Sequence, residues 1–304
     1  NMLQLIGWTS IMIYDAMLAL QELAPLSPMI WTIAIGALVS LWLFIGLHNT
    51  GYIQAIVSVL LLSLTLYMGA HMISQWPSET SLLTSGNMSF IAALELSIAM
   101  PLSWLPLISD YTRESKNPVS ASLTSATVYT ITSIVMYTLG LSAAIFGGGD
   151  SIITIMMNAG LGLAGLIVII FSTVTTTFMD AYSAGVSSTT IYNGVSSKGV
   201  AVIVTIVGTI AAILYPMDDI TDFLYLIGSV FAPMIAILLA DYFINRQQVQ
   251  TLSAYLVRGL IWAVSVGLYH YMLHSESTIG ATLPAFTMAF VITAIVGFKG
   301  VLYF

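Results

Sequence analysis

Cysteine is absent from all 304 residues, which excludes disulfides, thiolate metal sites and a cysteine nucleophile. Charge is nearly as scarce. Six residues are Lys or Arg and 13 are Asp or Glu, so only 6% of the chain is charged, against roughly a quarter in an average soluble domain. Such a chain cannot cover a water-facing surface. Six bases against a net charge of −7 also exclude the basic footprint of a nucleic-acid binder. No basic run or small-residue cleavage site precedes the first apolar stretch, so the start is not a signal peptide. The opening at Asn1 instead reads as a truncation or a fragment.

Apolar residues fill this space, at 58% of the chain with a mean hydropathy of +0.99. A hydrocarbon core about 30 Å thick takes roughly 20 apolar residues per helix. Ten stretches meet that length: about 3–23, 28–47, 52–72, 89–108, 119–146, 160–185, 199–215, 222–243, 253–273 and 280–300. Short turn-rich links join them, among them Pro25-Leu26-Ser27-Pro28, His48-Asn49-Thr50-Gly51 and Gly147-Gly148-Gly149-Asp150. The longest link, about 73–88, holds Trp76, Pro77 and Glu79. No soluble-domain boundary is visible, and the lipid bilayer is the solvent of a single membrane domain over 1–304.

The bases orient it. Arg113 and Lys116 follow the fourth stretch, Lys198 the sixth, Arg246 and Arg258 bracket the link after the eighth, and Lys299 closes the tenth. All fall on one side when the links are numbered alternately. Glu79, Asp150, Asp218, Asp219 and Glu276 lie on the other. The positive-inside rule makes the basic side cytoplasmic, with the protein in a cell membrane and both ends of the chain on the cytoplasmic side.

The fourth stretch, Glu95 to Arg113, holds Pro101, Ser103, Trp104 and Pro106. Two prolines five residues apart remove two backbone donors and predict a disrupted helix. Unwound midplane segments build substrate and ion sites in many secondary transporters, while a plain proline kink is the bland alternative. The sixth stretch carries Ser172, Thr173, Thr175, Thr176, Thr177 and Asp180. An acid at the bilayer centre costs about 2.5–3.5 kcal/mol on insertion scales, so Asp180 should face a wet cavity or a partner. The hydroxyls offer oxygen ligands to a small cation, or serve as helix-to-helix glue. On the first stretch Trp8 offers a ring face to a flat heterocycle, or sits in an interfacial aromatic belt. Asp15 and Glu95 are further acids inside apolar stretches.

Other matches are weaker. Gly160-Leu161-Gly162-Leu163-Ala164-Gly165 fits a dinucleotide pattern, but no strand precedes it, and it reads as close packing. Asp218, Asp219 and Asp222 resemble the metal-binding acids of membrane prenyltransferases, yet no second acidic motif or basic diphosphate ligand lies nearby. They read as a solvated turn and helix start. His270 and His274 have i, i+4 spacing without an evident third ligand.

Three stretches resemble the nucleobase–cation symporter family 1. Pro101 to Arg113, ending Ser-Asp-Tyr-Thr-Arg, is similar to that family's sixth helix and the loop after it. Thr175 to Ser187, with Asp-Ala-Tyr-Ser-Ala-Gly, is similar to its eighth helix, and Ala240-Asp241-Tyr242-Phe243 to the end of its tenth. The run through Thr177 and Asp180 looks most like the hydroxymethylpyrimidine permease branch, related to cytosine permeases. The resemblance implies a leucine-transporter-like bundle of inverted five-helix repeats plus two extra helices. The first helix here would be the family's third, so its first two would be missing. It further implies a secondary transporter importing a pyrimidine-type heterocycle, hydroxymethylpyrimidine before cytosine or another nucleobase. Na⁺ or H⁺ would be the coupling ion, with no other cofactor. Trp8 would stack on the substrate ring; Pro101, Ser103 and Trp104 would line the cavity; Ser172, Thr175 and Thr176 would hold Na⁺. Asp180 falls near a position where the family usually has Asn hydrogen-bonded to the heterocycle. An Asp there could accept from an aminopyrimidine or carry a proton. The rival of another class is a membrane-embedded Mg²⁺ enzyme using Asp218, Asp219 and Asp222.

Overall fold

A peptide group in hydrocarbon has no water to bond, so a spanning segment must close its hydrogen bonds within itself, as a helix does. The computed structural model describes residues 1–45, 50–74, 88–112, 115–146, 154, 156–157, 160–217, 219–246, 251–275 and 277–301. Trp76, Pro77, Glu79, Arg113, Asp150, Asp218 and Glu276 fall outside them, as do the side chains of Asp110 and Lys299. The described residues form ten helices: α1 Met2–Leu23, α2 Pro28–Ile45, α3 Thr50–Ser74, α4 Phe90–Thr112, α5 Pro118–Phe146, α6 Gly162–Ile191, α7 Ser197–Leu214, α8 Thr221–Leu239, α9 Leu252–His274 and α10 Thr282–Val301. A π-helical turn, Ala240–Asn245, continues α8. Among the described residues nine helices are long and apolar enough to cross a membrane, and α10 adds a shorter apolar run, Thr282–Gly297. The protein is an all-α, multi-pass membrane protein, and each of the ten expected stretches is a helix.

Two expectations need correction. The sixth stretch does not stop at 185 but runs to Ile191. Its polar tail stays helical because the hydroxyls bond the preceding turn, Ser188 Oγ donating to the Gly185 carbonyl at 2.6 Å and Thr190 Oγ1 to that of Ser187 at 2.7 Å. Nor is α4 unwound. It is one helix with Pro101 and Pro106 inside it. Each proline withholds a single N–H, from the carbonyls of Ser97 and Leu102 respectively, while the flanking turns keep theirs. Ser103 Oγ meanwhile donates to the Met100 carbonyl at 2.7 Å. Spanning helices tolerate proline on these terms.

The helices group into two compact units, residues 1–85 with 109–219 and residues 86–108 with 220–304. In the first, α1, α2, α6 and α7 pack in every pairing, and α3 lies against α6 and α5. Lipid is as apolar as leucine, so such helices are held by close packing rather than by hydrophobic burial. Small residues permit it. A Cβ on Gly208 of α7 would stand 2.6 Å from Thr9 Cγ2 of α1, and one on Gly36 of α2 would strike the Thr209 hydroxyl. Ile13, Ala16, Ile35, Val39, Leu166 and Ala212 fill the space between. At the end of α2, Lys198 Nζ donates to the Phe44 carbonyl at 3.2 Å, a cation on a helix C-terminus.

In the second unit α8, α9 and α10 pack on one another around Ala236, Ile237, Ile261 and Ala289. Arg258 of α9 grips Asp241 in the π-helical turn through two parallel bonds, Nε to Oδ2 and Nη2 to Oδ1, each 2.9 Å. Asn245 Nδ2 donates to Asp241 Oδ1 at 2.8 Å and to the Thr293 carbonyl of α10 at 3.1 Å. The widened turn thereby ties three helices together.

Gly208→Ala should destabilise the protein by about 1–3 kcal/mol, because β-branched Thr9 is fully buried and cannot yield. Gly259, with nothing within 4 Å of its would-be Cβ, should accept Ala with no loss of stability. Thermal unfolding in detergent would show a lowered midpoint for the first variant alone.

Candidate functional site

Hydrogen bonds at its two ends set the register of the α1–α6 pair. Asn1 Nδ2 donates to Ser187 Oγ at 2.8 Å, and Thr154 Oγ1, ahead of α6, donates to Glu22 Oε2 at 3.3 Å. The helices are therefore antiparallel. Both rise about 1.5 Å per residue, so counting seven residues up from Asn1 and seven back from Ser187 reaches Trp8 and Asp180. The two residues stand at one level on packed neighbours. Trp8 is half-buried. Asp180 is 7% exposed, and no hydrogen bond or ion pair reaches its carboxyl among the described residues. A buried acid without a donor is costly.

Ser172, Thr176 and Asp180 recur every four residues, so they form one stripe of oxygens along α6. Thr175 is one position off it and fully buried. Its hydroxyl donates to the Phe171 and Ser172 carbonyls at 2.9 and 3.0 Å, which leaves its lone pairs turned away from those bonds. Thr177 is engaged in the same way, donating to the Thr173 carbonyl at 2.7 Å. Hard oxygens of this kind suit a small hard cation.

Pro101, Ser103 and Trp104 belong to the second unit. Pro101 is exposed, Trp104 half-buried and Ser103 fully buried. Sequence reasoning missed what the acid at the head of this helix does. Glu95 Oε1 accepts the backbone N–H groups of both Ala281 and Thr282, each at 2.6 Å. A helix start leaves its first N–H groups without partners and favours a negative charge. Glu95 thus caps α10 from another helix, with only 6% of its surface exposed. Gly280 makes room: its φ is +75°, and a Cβ would strike the Glu95 carboxylate. The same carboxylate walls a cavity of about 560 Å³ together with Ser89, Tyr225, Met272 and Ser277.

The lesser motifs resolve simply. Gly160 and Gly162 take φ of +77° and +38° in the turn before α6, and Gly165 lies against Met156. Asp222 sits in the first turn of α8, as a helix start would have it. His270 meets the Tyr269 ring edge-on at 5.9 Å.

Glu95→Ala should leave two buried N–H groups unpaired, at about 1–3 kcal/mol for each such group. Glu95→Gln keeps an acceptor oxygen and should cost less. Unfolding midpoints of the two variants in detergent would rank them in that order; equal midpoints would deny the cap.

Comparison with known proteins extends the resemblance over nearly the whole chain. Residues 26–301 match the family model described as permeases for cytosine/purines, uracil, thiamine and allantoin. The cytosine permeases of Escherichia coli strains K12 and O157:H7 are each 26% identical over 185 residues, 60% of this chain and 44% of theirs. The match thus spans less than half the length of these curated relatives. The matched region extends from α2 into α10, far more than half of the chain, and the chain belongs to this family of permeases for cytosine, purines and related heterocycles.

Proposed function

We propose that this chain forms the transport domain of a secondary transporter that imports a pyrimidine-type heterocycle, hydroxymethylpyrimidine foremost, driven by Na⁺ or H⁺. What carries the reading is the level pairing of Trp8, counted from the Asn1–Ser187 bond, with the buried Asp180, unpartnered among the described residues. A flat heterocycle has a face to stack and a polar edge to bond, and this pair offers one group to each. Asp180 accepts from the ring's amino or N–H donors. Trp8 takes the face, an aromatic contact worth about 0.5–1.5 kcal/mol beyond its area. Family membership supports transport over the Mg²⁺-dependent enzyme, since the family is one of permeases.

Ser172, Thr175 and Thr176 are the Na⁺ ligands in this scheme, and the resemblance adds Pro101, Ser103 and Trp104 as further substrate contacts. Pro101 and Pro106 weaken α4 at two points without breaking it, which suits a helix that bends during alternating access. The basic side of the chain lies in the cytoplasm and the protein in the cell membrane. Cytosine is the second reading, supported by the curated relatives, which are cytosine permeases.

Uptake of radiolabelled hydroxymethylpyrimidine and cytosine into proteoliposomes of the intact protein tests the proposal. Flux of one ligand driven by a Na⁺ or a pH gradient is expected, and absence of flux for any pyrimidine or purine would overturn it. Trp8→Ala should raise the substrate KM about tenfold and Trp8→Phe much less, since a ring face survives in the second.

A further inference from the structure

Where the π-helical turn meets α10, two buried polar atoms have no hydrogen-bond partner among the described residues. They are Asn245 Oδ1 in the turn and Thr293 Oγ1 on the helix, in residues 6% and 1% exposed. The Asn245 amide is pinned. Its Nδ2 donates to Asp241 Oδ1 and to the Thr293 carbonyl, which uses both of its protons. Gly297 admits it against α10, since a Cβ there would strike the amide. The Thr293 hydroxyl is as unusual. Thr205 and Thr209 donate to carbonyls four residues back at 3.0 and 2.7 Å, a common bond for a helical threonine. Thr293 makes no such bond.

Buried polar atoms are almost always bonded, and two orphans at one joint call for a bound water or ion. Their spacing decides how large it is. Thr293 and Gly297 are four residues apart on α10, so their Cβ positions stand about 5–6 Å apart. Asn245 Oδ1 lies at the second position, and Thr293 Oγ1 is bonded to the first. One water making two hydrogen bonds of about 2.8 Å spans that gap. Charge argues against a cation. Arg258 already holds Asp241 Oδ1, the atom that accepts from Asn245, and a second positive charge nearby would be repelled.

We infer that a water molecule binds inside the protein between Asn245 Oδ1 and Thr293 Oγ1, as a fixed part of the joint between the π-helical turn and α10. It donates to the amide oxygen and shares a second bond with the hydroxyl. The chain of bonds from Arg258 through Asp241 and Asn245 then ends on α10 instead of on an unpaired oxygen. Ordered water is one of the means by which irregular helix survives in a membrane, and a π-helical turn is such a segment. The inference does not rest on what the protein transports.

Thr293→Val in the intact protein replaces the hydroxyl by a methyl of similar size, and the sign of its effect is the test. Removing a hydroxyl bonded to water should lower the unfolding midpoint in detergent by about 2–4 °C. Removing an unpaired one would raise it. A crystal structure of the unaltered intact protein, at a resolution that shows ordered water, supplies a readout that needs no variant. Density within hydrogen-bond distance of both oxygens is expected, with no anomalous signal after soaking in Rb⁺. An unchanged or raised midpoint, or the lack of such density, would overturn the inference. A Rb⁺ peak between the two oxygens would put a cation in place of the water and overturn it too.

Discussion

Hydrocarbon cannot solvate a carboxylate, and every acid inside a spanning helix must find its own answer to that constraint. Four acids in this chain do so differently. Asp241 is neutralised by the two-pronged grip of Arg258, and Glu95 is satisfied by two backbone donors at the start of α10. These two answers are structural: each ties one helix of the second unit to another. Asp180 and Asp15 have no such partner among the described residues, the one buried and the other open. Both stand in the first unit, where Asp180 is level with Trp8 and Asp15 shares its stripe. The fold thus spends two acids on holding helices together and leaves two without a partner among the described residues.

Close packing supports that arrangement. Gly208 and Gly36 let α1, α2 and α7 approach until side chains touch backbone-near atoms, and Thr9, the neighbour of Trp8, is clamped against Gly208. A residue clamped on one side holds its neighbour's ring at a fixed height. The polar bonds at the ends of α1 then fix that height relative to α6. Packing without a hydrophobic drive depends on such fits, which is why a single methyl at Gly208 matters more than one at Gly259.

The ten helices were legible in the sequence because a membrane demands long apolar runs and charge gathers in the links. The site was legible only in part. Asp180 announced itself as an acid within an apolar stretch, and the hydroxyls of α6 as a cluster. That Trp8 stands level with Asp180 was not readable, because it follows from a bond between Asn1 and Ser187, which are 186 residues apart. The cap on α10 was hidden for the same reason, its partners being 186 and 187 residues apart. Local rules misled at α4, where two prolines suggested a break and the flanking turns absorbed them. The serine and threonine run after Gly185 looked like a link, yet its hydroxyls bond backward and prolong the helix. The π-helical turn at Ala240 gave no signal beyond its resemblance to a family motif.

The central claim is that the buried Asp180 carboxyl holds the polar edge of a heterocycle. The most direct measurement is equilibrium binding of radiolabelled hydroxymethylpyrimidine and cytosine to the intact protein and to its Asp180→Ala variant, with the unfolding midpoint of each confirming the fold. A ligand that binds the parent and binds the folded variant at least about tenfold more weakly, a loss of about 1.4 kcal/mol or more, is the expected result. Equal affinity for parent and variant would contradict the claim and move the substrate site away from Asp180.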